Sequence, residues 1–183
     1  IARKLATHFV SDNPAPELVR ALSDSFMEND GDLMALYETL LNHPAAWVPE
    51  RGKVKQPFDF IASSVRALGI PEDALTSMKR KQRNVVFFGP LKLMGQPWET
   101  PGGPDGWPED AAHWITPQGL AARIQWAISA PSLFDTKLPD PREFVEIALA
   151  GQATEMTRFA AHAAETRWEG IGIILSSPEF QRR

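Results

Sequence analysis

The sequence contains no cysteine, which excludes disulfide bonds, thiolate metal ligands and cysteine nucleophiles. It has no apolar run near the roughly 20 residues that span a bilayer, so no transmembrane segment is expected in this portion. A Gly-x-Ser-x-Gly elbow, a His-Glu-x-x-His motif and a P-loop are also missing, and the 4 histidines are scattered. We therefore expect no cofactor and no metal site.

Positive charge is scarce as well, since the formal net charge is −4. This balance argues against a broad nucleic-acid surface, and no nucleic-acid partner is expected. The one dense basic run is Lys79-Arg80-Lys81-Gln82-Arg83. It could form a nucleic-acid or membrane patch, but a solvated helix face is favoured because the remainder of the chain is acidic.

The residues that are present predict a folded, all-α chain. The sequence has 183 residues, 43% of them hydrophobic and 23% charged, which suits a single helical domain over residues 1–183. Apolar residues recur at steps of three and four in segment after segment, and the 16 prolines bound those segments. The predicted fold is an irregular bundle of about eight short helices.

Caps and apolar steps place the individual helices. The predicted starts are Pro57, Pro71, Thr116-Pro117, Pro141 and Thr154, with Gly69 as one helix end. The predicted inward residues include Leu33, Leu36, Tyr37, Leu40 and Leu41; Phe58, Ile61, Val65 and Leu68; and Leu120, Ile124, Ala127 and Ile128. Residues 48–56 are predicted to form an exposed connector, and Val85 to Phe88 to be helical or irregular.

The first helix begins without a cap, and Ile1, Leu5 and Phe9 share one face of it. This pattern indicates a C-terminal fragment of a longer chain. We expect the apolar stripe to be exposed, or to be covered by another copy of the chain.

A long loop from Gly95 to Pro117 is rich in Trp, Gly and Pro and lacks periodicity. Loops of this length are uncommon in compact domains and are either functional or held by their own side chains. Trp98, Trp107 and Trp114, with Trp126 after them, could stack against sugar rings beside polar groups. The favoured alternative is that these indoles hold the loop against the helices.

Charged residues near this loop are further candidates. Arg123 could bind an anion, although a salt bridge to Asp105 or Asp110 that holds the loop is favoured. Glycoside hydrolysis would need two carboxylates at a defined separation. The acidic candidates, which are close in sequence only, are Glu99, Asp105, Glu109 and Asp110.

Several segments together resemble a known family. They are residues 1–10, Gly31-Asp32, the loop from Gly95-Gln96-Pro97 to Gly106-Trp107-Pro108, Trp114 with Arg123, and residues 177–182. Their order and spacing resemble the C-terminal portion of the bacterial domain-of-unknown-function family 1800. The loop differs from the usual family sequence, because Gly102-Gly103-Pro104-Asp105 stands where Pro-Pro-Asn-Val usually precedes Gly-Trp-Pro.

The resemblance implies no established activity. It implies larger proteins that are often exported and often encoded beside a second family resembling sulfatases. We therefore expect a binding or scaffold module with a partner or glycan surface formed by Trp98, Asp105, Trp107, Trp114 and Arg123. The alternative is part of a hydrolase acting on extracellular polymers, with catalytic groups partly in a missing N-terminal region.

Overall fold

A computed structural model describes residues 1–49, 51–134 and 136–183. The chain is 62% helical with no strand in these ranges, so the all-α prediction is confirmed. The described residues contain one isolated antiparallel β-bridge, between Val54 and Arg182. Within the same ranges, no helix combines the length and the apolar character needed to cross a membrane.

Eight helices of the described part have eight residues or more, in agreement with the predicted number. They are α1 (Ala2–Phe9), α2 (Pro16–Glu28), α3 (Leu33–Asn42), α4 (Pro57–Ala67), α9 (Pro117–Ser129), α10 (Pro141–Leu149), α11 (Glu155–Ala163) and α12 (Arg167–Ser176). The shorter ones are α5 (Glu72–Thr76), α6 (Arg80–Arg83), α7 (Gly89–Leu93) and α8 (Ala111–Trp114). The described residues also contain two short 3₁₀ segments, Pro44–Ala46 and Ala130–Leu133.

The predicted helix boundaries agree well with the structure. Pro57 begins α4, and Gly69 follows that helix with φ +65°, as expected of a left-handed residue after a helix end. Thr116 caps α9 by accepting a hydrogen bond from the backbone N–H of Gly119. Thr154 caps α11 in the same way through Thr157. Because caps and prolines act locally, the sequence alone locates them.

A π-helical turn, Asn84–Phe88, joins α6 to α7 and occupies the segment predicted to be helical or irregular. Its closing hydrogen bond runs from the backbone N–H of Gly89 to the carbonyl oxygen of Asn84. A Cβ atom on Gly89 would lie only 2.9 Å from that oxygen, so the absence of a side chain permits the turn.

The described residues form two compact units. Unit 1 comprises Ile1–Lys53 with Glu109–Ala111, and unit 2 comprises Val54–Pro108 with Ala112–Arg183. The small core of unit 1 consists of Ala6, Leu18, Leu22, Leu36 and Leu40. As expected for the stripe on α1, Ile1 and Phe9 are exposed, whereas Leu5 is half-buried.

The core of unit 2 surrounds α12, whose residues Ile171, Ile174 and Leu175 are fully buried. Two glycines allow this helix to approach its neighbours closely. A Cβ atom on Gly170 would lie 2.5 Å from Pro141 of α10, and one on Gly172 would lie 3.3 Å from Ile128 of α9. The last helix is therefore the centre of the larger unit.

Several predicted inward residues are exposed instead. In α3, Leu36 and Leu40 are buried, but Leu33, Tyr37 and Leu41 are exposed, because only one narrow face of this helix meets the unit 1 core. Tyr37, Leu40 and Leu41 line an open apolar groove of about 380 Å³, together with Phe9, Val10, Ala46 and Trp47.

In unit 2 the buried face of α9 is rotated from the predicted one, whereas α4 buries Ile61 and Val65 as predicted and differs at one position. In α4, Phe60 is buried where Phe58 was expected. In α9, the predicted Leu120, Ile124 and Ile128 are exposed, and Arg123 and Trp126 are buried beside Ala127. The Trp126 Nε1–H donates to the carbonyl oxygen of Val86 at 2.7 Å, and the two terminal nitrogens of Arg123 donate to Gln181 and Lys55, whereas the buried Arg123 Nε has no hydrogen-bond partner. Amphipathic large side chains thus occupy the core positions.

The predicted exposed connector is wrong at two positions. Lys53 and Val54 are both buried. Val54 forms the bridge with Arg182, and Lys53 lies among acidic groups of unit 1. Glu50, which falls in the same predicted connector, lies outside the described residues.

Candidate functional site

The predicted site residues occupy three different environments in unit 2. Trp98 and Trp107 line one surface cleft. Asp105 is exposed and its carboxylate lies against Gly103. Trp114 and Arg123 are fully buried. Only the first two of the five predicted residues are therefore brought together at a surface where a ligand could bind.

The cleft that contains Trp98 and Trp107 has a volume of about 250 Å³. It combines aromatic rings with amide and carboxylate groups. Its lining residues are Gln56, Phe58, Asp59, Leu91, Gln96, Pro97, Trp98, Glu99 and Trp107. We call it the Trp98 cleft.

The buried amide of Gln96 connects the long loop to the start of α4. Its Oε1 accepts a hydrogen bond from the backbone N–H of Phe58 at 2.7 Å, and its Nε2 donates to Oε1 of Gln56 at 2.9 Å. The N-cap residue Gln56 makes no side-chain cap of its own. Gln96 therefore satisfies a free N–H of the first helical turn and fixes the loop beside it.

The indole of Trp98 is presented by neighbouring rings. Its centroid lies 5.5 Å from that of Phe58 and 5.9 Å from that of Phe88, both in tilted arrangements. These contacts hold the ring, yet Trp98 remains 46% exposed. Trp98 is therefore an anchored side chain whose remaining surface is available for stacking.

Trp107 is supported from the interior by Trp114. The two ring centroids are 6.2 Å apart. Trp114 is fully buried, and its Nε1–H donates to the carbonyl oxygen of Pro108 at 3.0 Å. The sequence left open whether these indoles form a stacking surface or hold the loop, and the answer differs between them. Trp114 is buried and holds the loop, whereas Trp98 and Trp107 line the cleft.

Two carboxylates, Asp59 and Glu99, line the same cleft. Asp59 is paired with Arg183, whose guanidinium lies 3.1 Å away. Of the acidic residues proposed from sequence, Glu99 is therefore in the cleft, Asp105 is exposed elsewhere in the loop, and Glu109 and Asp110 belong to unit 1. Asp59 was missed, since no feature of the sequence connects it with a loop about 40 residues further along.

Arg123 does not form the predicted salt bridge with Asp105 or Asp110. Its guanidinium donates to Oε1 of Gln181 at 2.9 Å and to the carbonyl oxygen of Lys55 at 2.8 Å. Burial lowers the pKa of Arg123 to about 10, against the opposing effect of the Asp59 carboxylate, so the group stays protonated at neutral pH. Arg123 therefore links the segments that contain Lys55 and Gln181 through buried hydrogen bonds.

A second group of chemistry-bearing side chains surrounds the ammonium of Lys53 in unit 1. Lys53 is only 2% exposed, and its Nζ lies 2.7 Å from Oδ1 of Asp12 and 3.2 Å from Oε2 of Glu109. Oε1 of Glu109 is 2.6 Å from Nδ1 of His8, and Oδ2 of Asp12 accepts the backbone N–H of Ala111. We call these residues the Lys53 cluster.

Two opposing effects act on Glu109. Burial raises the pKa of its carboxyl group, while hydrogen bonds and charge from His8 and Lys53 lower it, and the net result is a lowered pKa. Sequence reasoning missed the cluster because Lys53 is separated by 41 residues from Asp12 and by 56 from Glu109. The arrangement links three distant parts of the chain within unit 1.

In the part of the chain that the structure describes, no set of three or more His, Asp or Glu side chains is arranged to hold a metal ion. The carboxylates of the Lys53 cluster already have a cation between them. The Trp98 cleft offers aromatic surface for stacking and polar groups for hydrogen bonding.

The chain belongs to the family described as "Protein of unknown function (DUF1800)", whose model matches residues 1–182. The resemblance found in the sequence is thereby confirmed over essentially the whole chain. No curated protein and no solved structure matches it.

Proposed function

We propose that this member of the DUF1800 family is a binding module of an exported bacterial protein and that its Trp98 cleft binds a sugar ring. The observation that carries the proposal is the indole of Trp98, anchored by two aromatic neighbours and still 46% exposed inside a cleft with polar walls. Location and ligand are both proposals; the resemblance to exported proteins supports the first and the cleft supports the second.

The chemistry of the cleft suits a saccharide. A pyranose ring has an apolar C–H face, which stacks on an indole, and a rim of hydroxyl groups, which need hydrogen-bond partners. Trp98 and Trp107 supply aromatic surface, and Gln56 and Glu99 supply polar atoms at the walls. A ligand without hydroxyl groups would cover the Glu99 carboxylate without offering it a hydrogen bond.

The charge of the cleft favours a neutral sugar. Asp59 is balanced by Arg183, but Glu99 forms no ion pair within the described residues. A sulfated or uronic ring would bring a second negative charge close to Glu99, and such juxtaposition disfavours binding. We therefore expect neutral oligosaccharides to bind more tightly than acidic ones.

Isothermal titration calorimetry with neutral and sulfated oligosaccharides tests the proposal. Trp98→Ala should weaken binding of the neutral ligands at least tenfold, because stacking on the ring is lost. Trp168→Ala is the matched control, since Trp168 is 47% exposed and lies on α12 outside the cleft. Equal affinities for the two variants, or no binding by the unmodified protein, would contradict the proposal.

Hydrolysis of an extracellular polymer is the second candidate, and the presence of Asp59 and Glu99 in one cleft favours it. Release of reducing ends from a bound oligosaccharide would establish this activity. Asp59→Asn and Glu99→Gln should then each abolish turnover while Trp168→Ala keeps it. Binding without turnover would leave the binding module as the function.

The product of a neighbouring sulfatase-like gene is the partner we propose, on the strength of the family resemblance. Co-purification of the two gene products from the periplasmic or extracellular fraction tests both partner and location. Recovery of the protein from the cytoplasmic fraction alone, without the partner, would contradict both.

A further inference from the structure

Unit 2 has a second cleft, of about 400 Å³, directly beside the Trp98 cleft. Phe58, Leu91 and Trp98 line both clefts, so the two share a border. Every side chain that lines the second cleft is apolar. The lining residues are Phe58, Ile61, Ala62, Val65, Leu75, Phe87, Phe88, Leu91 and Trp98. We call it the Phe87 cleft. A sugar would find no hydrogen-bond partner among these side chains.

Aromatic rings form the border between the two clefts. The ring centroid of Trp98 lies 5.5 Å from that of Phe58 and 5.9 Å from that of Phe88. All three side chains are exposed. The border is held from beneath, because Oε1 of the buried Gln96 accepts the backbone N–H of Phe58 at 2.7 Å. A ligand that stacks on Trp98 in one cleft therefore lies next to the other cleft.

The π-helical turn Asn84–Phe88 supplies Phe87 and Phe88 to the lining of the Phe87 cleft. The turn is fixed to the core, since the carbonyl oxygen of Val86 accepts the Trp126 indole N–H at 2.7 Å. A wall that is already fixed needs little ordering when a ligand binds. Turns of this kind are also frequent at functional sites.

The sizes of the two clefts indicate a ligand that occupies both. The Trp98 cleft, at about 250 Å³, is smaller than the roughly 300–1,000 Å³ of most ligand pockets, whereas the two neighbouring clefts together fall within that range. An open apolar cleft on the surface of a folded domain also costs free energy while it stays in contact with water, and such features mark binding sites.

The charges near the border limit what the apolar part of a ligand can carry. Asp59 directly follows Phe58, and Glu99 directly follows Trp98, so both carboxylates stand beside border residues. An anionic group near the border would be repelled by Glu99, which forms no ion pair among the described residues. A charged group of either sign deeper in the Phe87 cleft would lose its hydration without gaining a partner. The apolar part is therefore uncharged.

We propose that the ligand is a free neutral glycoside with an apolar aglycone, whose sugar lies in the Trp98 cleft and whose aglycone lies in the Phe87 cleft. This inference rests on the proposed saccharide site and extends it to the neighbouring cleft. The sugar stacks and forms hydrogen bonds on one side of the aromatic border, and the aglycone is removed from water on the other side.

Titration calorimetry with methyl, hexyl and octyl maltoside, each below its critical micelle concentration, tests the proposal. Because the sugar is the same in all three, any gain in affinity along the series comes from the aglycone. Each buried CH₂ group should strengthen binding by up to about fourfold, so hexyl maltoside should bind at least roughly thirtyfold more tightly than methyl maltoside. Octanol, which has the chain without the sugar, should bind at least roughly tenfold more weakly than octyl maltoside.

Two variants assign the parts of the ligand to the two clefts. Ala62 is exposed on α4 and lines the Phe87 cleft but not the Trp98 cleft, so Ala62→Gln fills the apolar cleft with a polar side chain that a helix tolerates. It should remove the gain from the hexyl and octyl chains and leave methyl maltoside unchanged. Ala121→Gln, at an exposed position of α9 outside both clefts, is the matched control. Trp107→Ala should weaken all three maltosides and leave octanol unchanged.

The outcomes separate this inference from the proposed function. If methyl maltoside binds and Trp107→Ala weakens it, but the longer chains add no affinity or Ala62→Gln behaves like Ala121→Gln, the aglycone proposal is overturned and the saccharide site stands. If octyl maltoside binds no better than octanol and Trp107→Ala changes nothing, both fail. Binding to glycolipid vesicles without binding to monomeric octyl maltoside would also overturn the proposal of a free glycoside.

Discussion

Lys53 links three segments of unit 1 through one ammonium group, which touches Asp12, Glu109 and the backbone carbonyl of Glu109. Replacing it with Met leaves two carboxylates without their cation. Lys53→Met should lower the free energy of unfolding by about 3 kcal/mol, near the lower end for a broken buried ion pair, because both carboxylates retain some contact with water.

Urea unfolding of Lys53→Met against Lys4→Met measures this effect. Lys4 is exposed on α1 of the same unit, so its replacement should change stability by no more than about 0.5 kcal/mol. Indistinguishable midpoints for the two variants would show that the cluster contributes nothing to stability.

The lowered pKa of Glu109 predicts loss of stability in acid. The unfolded chain takes up a proton first as the pH falls, since its carboxyl keeps a value near 4.5 while that of the folded chain is lower. The contribution of Glu109 is therefore fully present above about pH 4.5 and disappears as the pH falls through the folded value. Unfolding curves from pH 7 to pH 3 should show a shallower decline for Glu109→Gln, whereas parallel declines would contradict the assignment.

Trp114 and Trp107 should respond differently to truncation. Trp114→Ala empties a fully buried site and removes the bond to Pro108, so it should cost about 3–5 kcal/mol. Trp107 is half-buried at the cleft, so Trp107→Ala should lower the free energy of unfolding clearly less than Trp114→Ala does. It should also weaken saccharide binding. Thermal and chemical unfolding of the two variants checks this ranking, and titration of Trp107→Ala with a saccharide checks its affinity.

At the level of the element, α12 depends on glycine for its central position. A Cβ atom on Gly170 would lie 2.5 Å from two atoms of Pro141. Gly170→Ala should destabilise the protein by about 1–3 kcal/mol through overpacking, despite the better helix propensity of alanine. Gly102→Ala, where nothing lies within 4 Å, is the control, and a neutral or stabilising Gly170→Ala in calorimetric melting would contradict the packing described here.

The elements also show what the sequence predicts well. Caps, prolines and Gly69 located the helices because those signals act over one turn. The buried face of α9 was not predicted, since Arg123 and Trp126 face inward through partners at Gln181 and Val86 that lie about 40 or more residues away in sequence. The Trp98 cleft was predicted in part: Trp98 and Trp107 were identified, but Asp59 and Gln56 on another element were not.

At the scale of the whole molecule, each unit has its own apolar core. The core of unit 1 is small, with five fully or largely buried apolar residues, so ion pairing should contribute a larger share of its stability. In Lys53→Met, hydrogen–deuterium exchange should accelerate across α1, α2 and α3. Exchange in α9 and α12 should stay unchanged, and equal acceleration in both units would contradict separate cores.

The saccharide site is tested most directly by the indole N–H signals of the 6 tryptophans, assigned by single substitutions, during titration with a neutral oligosaccharide. We predict that the signals of Trp98 and Trp107 move. Those of Trp126, bonded to Val86 in the core, and of Trp168, outside the cleft, should stay in place. No shift at Trp98, or larger shifts at Trp168 than at Trp98, would contradict the assignment of this cleft as the binding site.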